Sequence, residues 1–221
     1  MKTKDQYALI SVFDKKNLNA VCKVFKKNNI KIISTGSTSK YIKKLGYNCI
    51  SVSNLTKFKE ILDGRVKTIH PKIHASLLYK RSDKNHIKSF NKLNFPSINF
   101  VIVNLYPFEK TIKLHKSNND KAIEMIDIGG PALLRSAAKN YKYVTTVSSP
   151  SDYKNLINNL KRNGETTLEF RSKMATKVFS TTANYDAIIS KWFENKNNKK
   201  SSQKNNLEIK LRYGENPHQK A

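Results

Sequence analysis

The chain has 221 residues, 38% of them hydrophobic, and a formal charge of +26. That length suits one well-cored domain, or one domain with a small appendage. No stretch reaches the roughly 18 apolar residues of a membrane span, and Cys22 and Cys49 stand without CxxC or Cys/His spacing, which reads as a reduced cytoplasmic protein lacking a structural zinc site.

The basicity invites a nucleic-acid reading, but six arginines stand against 36 lysines. Base-reading and phosphate-forking surfaces favour the planar Arg fork. Lys and Asn are abundant together ("KKNN", "NKNNKK"), and both use A-rich codons. Residues 195–221 carry +5, leaving +21 on 1–194, so the charge is not confined to a tail. It favours anions generally. "MKTKDQYALISVF" has an acid and no long apolar run, so no secretory signal is expected.

In chain order, "YALISV" (7–12) reads as a strand and "KNLNAVCKVFKKN" (16–28) as a helix with Leu18, Val21, Val24 and Phe25 on one face. "IKIIS" (30–34) is a second strand, "SKYIKKLG" (39–46) a second helix ended by Gly46, and "YNCISV" (47–52) a third strand. This alternation predicts an α/β fold with a mostly parallel sheet flanked by helices. "INFVIVNLY" (98–106) is nearly continuously apolar and reads as a central strand buried on both faces. "PALLRSAAKN" (131–140) reads as a helix with Pro in its first turn, and "YKYVTTVS" (141–148) as another strand. From 149 onward the pattern is helical, through "LEFRSKMATKVFSTTANYDAIISKWF" (168–193). "NKNNKKSSQKNN" (195–206) has no apolar residue and no acid and reads as a linker; "LEIKLRYGENPHQKA" (207–221) regains some order.

Four stretches offer chemistry. "IISTGSTSKYIKKLG" (32–46) puts Thr35, Gly36, Ser37, Thr38 and Ser39 at a strand-to-helix turn. It is neither a Walker A loop nor a GxGxxG fingerprint. Either the hydroxyls cap a helix, or the turn holds an anion on hydroxyls, a bare glycine and helix-start N–H groups. "GRVKTIHPKIH" (64–74) crowds Arg65, Lys67, Thr68 and His70 into a loop suited to an anionic substrate, or simply a solvated basic loop. His70 and His74 are four apart, as in helical metal pairs, but Pro71 intervenes and no third ligand is evident, so no metal is expected. In "NLYPFEKT" (104–111), Asn104 and Tyr106 fall where the best strand ends, which is where open α/β sheets bind ligands. In "IDIGGPALLRSAAKN" (126–140), Asp127 precedes a Gly-Gly-Pro turn opening a helix, with Lys139 at its far end.

Their order and wording carry more than any one of them. "ALISVFDKKNL", "STGSTSKYIKKLG", "GRVKTIHPKIHASLL", "VNLYPFEKT", "IDIGGPALLRSAAKN" and "YDAIISKWF" resemble, across residues 7–194, the inosine-monophosphate cyclohydrolase domain, the N-terminal half of the bifunctional purine biosynthesis proteins. "LRYGENPHQ" (211–219) resembles the start of the second half, the AICAR formyltransferase domain, so 207–221 is expected to be a truncated beginning of it. The resemblance implies a methylglyoxal synthase-like fold with a helical C-terminal extension. It implies closure of formyl-AICAR to IMP with loss of water, without metal or cofactor. It implies phosphate and ribose contacts from Lys15, Thr35, Gly36, Ser37, Thr38, Arg65 and Thr68, base contacts from Asn104, Asp127 and Gly129, and a catalytic set of Lys67, Tyr106, Asp127 and Lys139. It also implies a homodimer, or association with a formyltransferase domain.

Phe13 stands where many members carry a small serine, Ser37 replaces a frequent glycine, and "HAS" (74–76) a common "HGG". None removes an expected catalytic residue. Two other classes compete: a non-catalytic nucleotide- or anion-binding module on the same fold, and a basic nucleic-acid binder. Binding alone does not need Lys67, Tyr106, Asp127 and Lys139 together, and few arginines and no RNP-type aromatic motif argue against RNA or DNA. A methylglyoxal synthase would share the fold without calling for "IDIGGPALLRSAAKN".

Overall fold

Five β-rich runs, separated by amphipathic helices, assemble into one sheet. The structure, a computed structural model, describes residues 5–114 and 119–201. The elements are β1 (Tyr7–Val12), α1 (Leu18–Lys27), β2 (Lys31–Ser34), α2 (Gly36–Lys44), β3 (Cys49–Ser51), α3 (Val52–Thr56), α4 (Pro71–Leu78), α5 (Lys84–Leu93), β4 (Ile98–Asn104), α6 (Phe108–Leu114), α7 (Asn119–Glu124), α8 (Gly129–Lys139), β5 (Thr145–Val147), α9 (Tyr153–Asn163) and α10 (Leu168–Ser201). Every strand pairing is parallel, in the order β3-β2-β1-β4-β5.

The parallel arrangement explains the apolar runs, because both faces of the sheet are covered. Ala8, Ile10 and Val12 of β1 and Phe100 and Ile102 of β4 join Leu18, Val21, Val24 and Phe25 of α1 and Leu156 and Leu160 of α9. The alternate residues, Leu9, Ile98, Val101 and Val103, face the other way with Leu133, Leu134 and Ala137 of α8 and Ile73 and Leu77 of α4. Phe170 and Met174 of α10 join the first layer, and Ala175 and Val178 the second.

Several boundaries differ from the sequence pattern. The last strand begins only at Thr145, not at 141. Main-chain N–H groups of Tyr143 and Val144 turn back to Asn140 O at 2.9 and 3.1 Å, so they are used by the turn closing α8 and not by a ladder. α2 starts three residues early, at Gly36, whose φ of +40° makes the turn out of β2. α4 and α5 arise in a stretch with no strong periodicity; His70 caps α4 by accepting from Lys72 N–H, and Pro71 occupies its first turn. The chain divides into compact units after Asn184, ten residues before the expected domain end at 194. Helix α10 runs to Ser201, so the first seven residues of the expected 195–206 linker are helical; a formed helix propagates cheaply through Lys-rich sequence. The rest of that linker and the expected formyltransferase start lie outside the described residues.

One buried amide ties α8 to α4 within the second layer. Asn140 Nδ2 donates to Leu77 O at 2.6 Å and to Tyr79 O at 3.1 Å, satisfying the carbonyl end of α4 from the end of α8. Asn140→Ala leaves those carbonyls without that donor, and a loss of about 1–3 kcal/mol is expected in urea unfolding. A midpoint equal to that of the unaltered chain would contradict this.

Candidate active site at the switch point of the sheet

β1 is flanked by β2 on one side and β4 on the other, so the strand order reverses between β1 and β4. In open parallel sheets the crevice beyond the carboxyl ends at such a point is where ligands bind. Val12 and Asn104 pair across it. Asn104 Oδ1 accepts from Phe13 N–H at 2.7 Å and Asp14 N–H at 2.9 Å, and its Nδ2 donates to Asp14 O at 2.8 Å. The amide expected to meet a base is thus engaged in shaping the loop after β1. Buried Tyr153 backs it: burial and the nearby Asp14 carboxylate push its phenol up, while its bond to Asn104 opposes that. Lys15, in the same loop, donates to Phe13 O at 3.3 Å. Phe13 is 48% exposed and meets Tyr106 edge-on, with ring centroids 5.7 Å apart.

The turn after β2 separates the two readings of its hydroxyls. Thr35 occupies the cap position of α2 in an extended conformation, yet no described side chain caps the helix. Its hydroxyl lies 3.0 Å from Ser11 Oγ instead. Thr38 is 3% exposed; its hydroxyl accepts from Val12 N–H and donates to Val12 O, so it fastens α2 to β1. Gly36 and Ser37 are exposed. The first intrahelical bond runs from Ser39 N–H to Thr35 O, leaving the preceding N–H groups at a positive helix end that holds no acid. Such an end suits a phosphate, with Thr38 contributing through its main chain and not its hydroxyl.

Asp127 is the focus of the other half. Gly130 N–H donates to its Oδ1 at 2.7 Å, and Tyr106 N–H also donates to it. Burial pushes the Asp127 carboxyl above its ordinary range, while these N–H groups and the Lys67 ammonium pull back. The glycines are required by space. A Cβ on Gly130 would lie 2.5 Å from Asp127 Oδ2 and 2.8 Å from Leu105 Cδ2, and one on Gly129 would lie 2.7 Å from Thr68 Oγ1. Thr68, 3% exposed, therefore packs directly on the start of α8.

Two expected residues, Arg65 and Lys139, are arranged differently, and the two spaced histidines take separate tasks. Arg65 is exposed and its guanidinium pairs with Glu124 of α7. Lys139 is exposed at the C-terminal end of α8, ten residues beyond Gly129. At 1.5 Å per residue that is about 15 Å along the helix, so this chain does not bring Lys139 to Asp127. His70 precedes α4 as its cap, so it cannot share a helical face with His74; that ring instead lies 3.0 Å from Ser136 Oγ. No three His, Cys, Asp or Glu gather among the described residues, and no described helix is long and apolar enough to cross a membrane.

Sequence reasoning missed Ser11, Glu124 and Ser136. Their partners are 24, 59 and 62 residues away in the chain, and no local pattern links them.

The comparisons with known proteins agree on the region. The family profile described as "MGS-like domain" matches residues 17–132, and that described as "AICARFT/IMPCHase bienzyme" matches 137–221. The chain is 48% identical over 97% of its length to a bifunctional purine biosynthesis protein PurH of Lactobacillus acidophilus, and 46% identical over 97% to proteins of the same name from Caldicellulosiruptor saccharolyticus and Bacillus thuringiensis. It spans 42–43% of the length of those relatives. A solved structure described as "Crystal structure of ForH" superposes with a TM-score of 0.75 at 26% identity, covering 86% of this chain and 100% of that one.

Proposed function

This chain belongs to the MGS-like domain family, and on that premise we propose that it closes formyl-AICAR to IMP with loss of water. The observation that carries the reading is Asp127: a half-buried carboxylate with a raised pKa, gripped by two main-chain N–H groups and facing Lys67. A structural carboxylate would gain from being held below its ordinary range; one that burial holds above it is a better proton acceptor than an exposed aspartate. The identity to the PurH proteins supports the substrate class.

In this scheme the carboxamide nitrogen bonds to the formyl carbon and gives a proton to Asp127. The formyl oxygen gains charge, which Lys67 and the Tyr106 hydroxyl offset, and it takes up a proton. It then leaves as water, carrying the second proton from the former formamide nitrogen, so no oxidant or reductant enters. Each such donor can contribute roughly 3–4 kcal/mol, and holding both groups in one molecule supplies much of the rest. The 5′-phosphate would sit on the start of α2, with Lys15, Thr35, Gly36, Ser37 and Thr38 around it and Arg65 and Thr68 from the neighbouring loop. For Arg65 to bind substrate it would leave Glu124. Gly129 keeps the start of α8 open to the base. Lys139 has no role in this scheme within one chain; a role would require a second copy. The relatives' remaining length is where we place the formyltransferase half that makes the substrate.

Incubating the chain with formyl-AICAR and following IMP by absorbance tests the reading. Turnover is expected, and Lys67→Met and Tyr106→Phe should each cut it roughly 10²–10³-fold with the fold retained. No rate above the uncatalysed background would overturn the reaction; near-normal turnover in both variants would overturn the assignment of roles.

A further inference from the structure

The scheme above uses neither histidine of "IHPKIH", and the polar partners of His74 come from two other segments of the chain. It lies in α4 with Nδ1 3.0 Å from Ser136 Oγ, two turns into α8 from Gly129. Its ring also engages the main-chain carbonyl of Thr68. Burial holds the imidazole below its ordinary value, so the ring is neutral at pH 7. A neutral ring has one donor and one acceptor, and a carbonyl can only accept. The ring therefore donates to the Thr68 carbonyl, and its Nδ1 faces the Ser136 hydroxyl.

Three segments meet at this ring. Thr68 O also accepts from His70 N–H at 3.0 Å, and the Thr68 side chain packs on the start of α8, against Gly129. The residue before Thr68 is Lys67, whose charge reaches Asp127 just ahead of that same helix. The loop carrying Lys67 is otherwise irregular: it is preceded by Asp63 and Gly64 at positive φ, and Arg65 points to an exposed partner. Val66 pairs with Ile61 and so ties the loop to itself; toward α8 the loop is held by Thr68 against Gly129 and by the His74–Ser136 contact.

We propose that His74 is a positioning residue: by bridging the Thr68 carbonyl to the Ser136 hydroxyl it holds the Lys67–Thr68 loop against α8 and sets the separation of the Lys67 ammonium from the Asp127 carboxylate. The consequence for turnover rests on the proposed reaction; the geometric claim does not.

Two readouts on the full chain separate these. In carbon-13 NMR titration of the Asp127 carboxyl, Lys67→Met and His74→Ala are each expected to move the midpoint upward, because the nearby positive charge is removed or drawn away. The double variant should move it no further than Lys67→Met alone, since His74 acts through Lys67. Ser136→Ala, which deletes one hydroxyl, should shift it in the same direction by less, and it decides the question if His74→Ala does not fold. In turnover of formyl-AICAR, His74→Ala should lower kcat roughly ten- to hundredfold with KM within about twofold, the pattern of a misplaced group and not of a lost binding contact. His74→Gln, which keeps a donor toward Thr68, should recover part of that loss. An unmoved Asp127 midpoint in Ser136→Ala and in folded His74→Ala overturns the proposal, as does a shift that adds in full to that of Lys67→Met. An unaltered chain without turnover, whose Asp127 midpoint still moves in His74→Ala, keeps the positioning role and overturns the reaction instead.

Discussion

Asp127→Asn is expected to lower turnover of formyl-AICAR by roughly 10²–10⁴-fold while leaving the fold intact. The substitution keeps an acceptor for Gly130 N–H, which now donates to Oδ1 at 2.7 Å, so the start of α8 retains its bond. What it removes is the group that can accept a proton. Stability should move the other way. The folded carboxyl holds its proton to higher pH than an unfolded aspartate would, because burial penalises the charge. Between the unfolded and folded pKa values the folded state binds more protons, so stability falls as pH rises through that interval and the penalty is complete above it. Asp127→Asn should therefore melt no lower than the unaltered chain at pH 7, and at pH 3 the difference should shrink. For the same reason the acid limb of kcat for the unaltered chain should lie above the ordinary aspartate range. An Asn variant that retains turnover would remove Asp127 from the chemistry, and one that melts well below the parent would make it a structural cap.

Gly130→Ala is expected to damage both the site and the fold. A methyl there would lie 2.5 Å from Asp127 Oδ2 and 2.8 Å from both Asp127 Cγ and Leu105 Cδ2. Two of those atoms belong to the carboxylate itself, so relief comes mainly by displacing it. Overpacking of this kind costs about 1–3 kcal/mol, and a displacement near 1 Å can cost 10²-fold in rate. Thermal melting and kcat measured together check this. Parental values for both would show that the carboxylate has room to move without consequence, and would weaken the view of Asp127 as a rigidly held base.

The layered fold was legible because its signals are local. The short apolar run at 7–12 and the nearly continuous one at 98–104, with a 3.6-residue pattern between 18 and 25, call for parallel strands under helices, and the two-sided packing of β1 and β4 follows from them. The failures also have physical causes. The run "YKYV" has strand composition, but its N–H groups are taken by the end of α8. Helix α4 spans only eight residues, and α5 has Ile87, Phe90 and Leu93 as its apolar side chains, so periodicity passed over them. In the site, the residue types of the turn after β2 were readable, yet their tasks were not: Thr38 and Asn104 look like ligand donors in sequence and are engaged by the main chain of the β1 strand and loop.

The amino-acid sequence by itself determined the α/β alternation, the central strand, the glycine turns and the set of reactive residue types, because each is set by neighbours within a few positions. Only the tertiary structure decided which of those residues meet. Lys67 and the Tyr106 main chain come to Asp127 because the loop before α4, the end of β4 and the start of α8 are packed together, while Lys139, so close to Asp127 in sequence, is carried about 15 Å away by the rise of one helix. His74, half of a possible metal pair in the sequence, lies beside Ser136 of α8, 62 residues away in the chain, because α4 packs against α8.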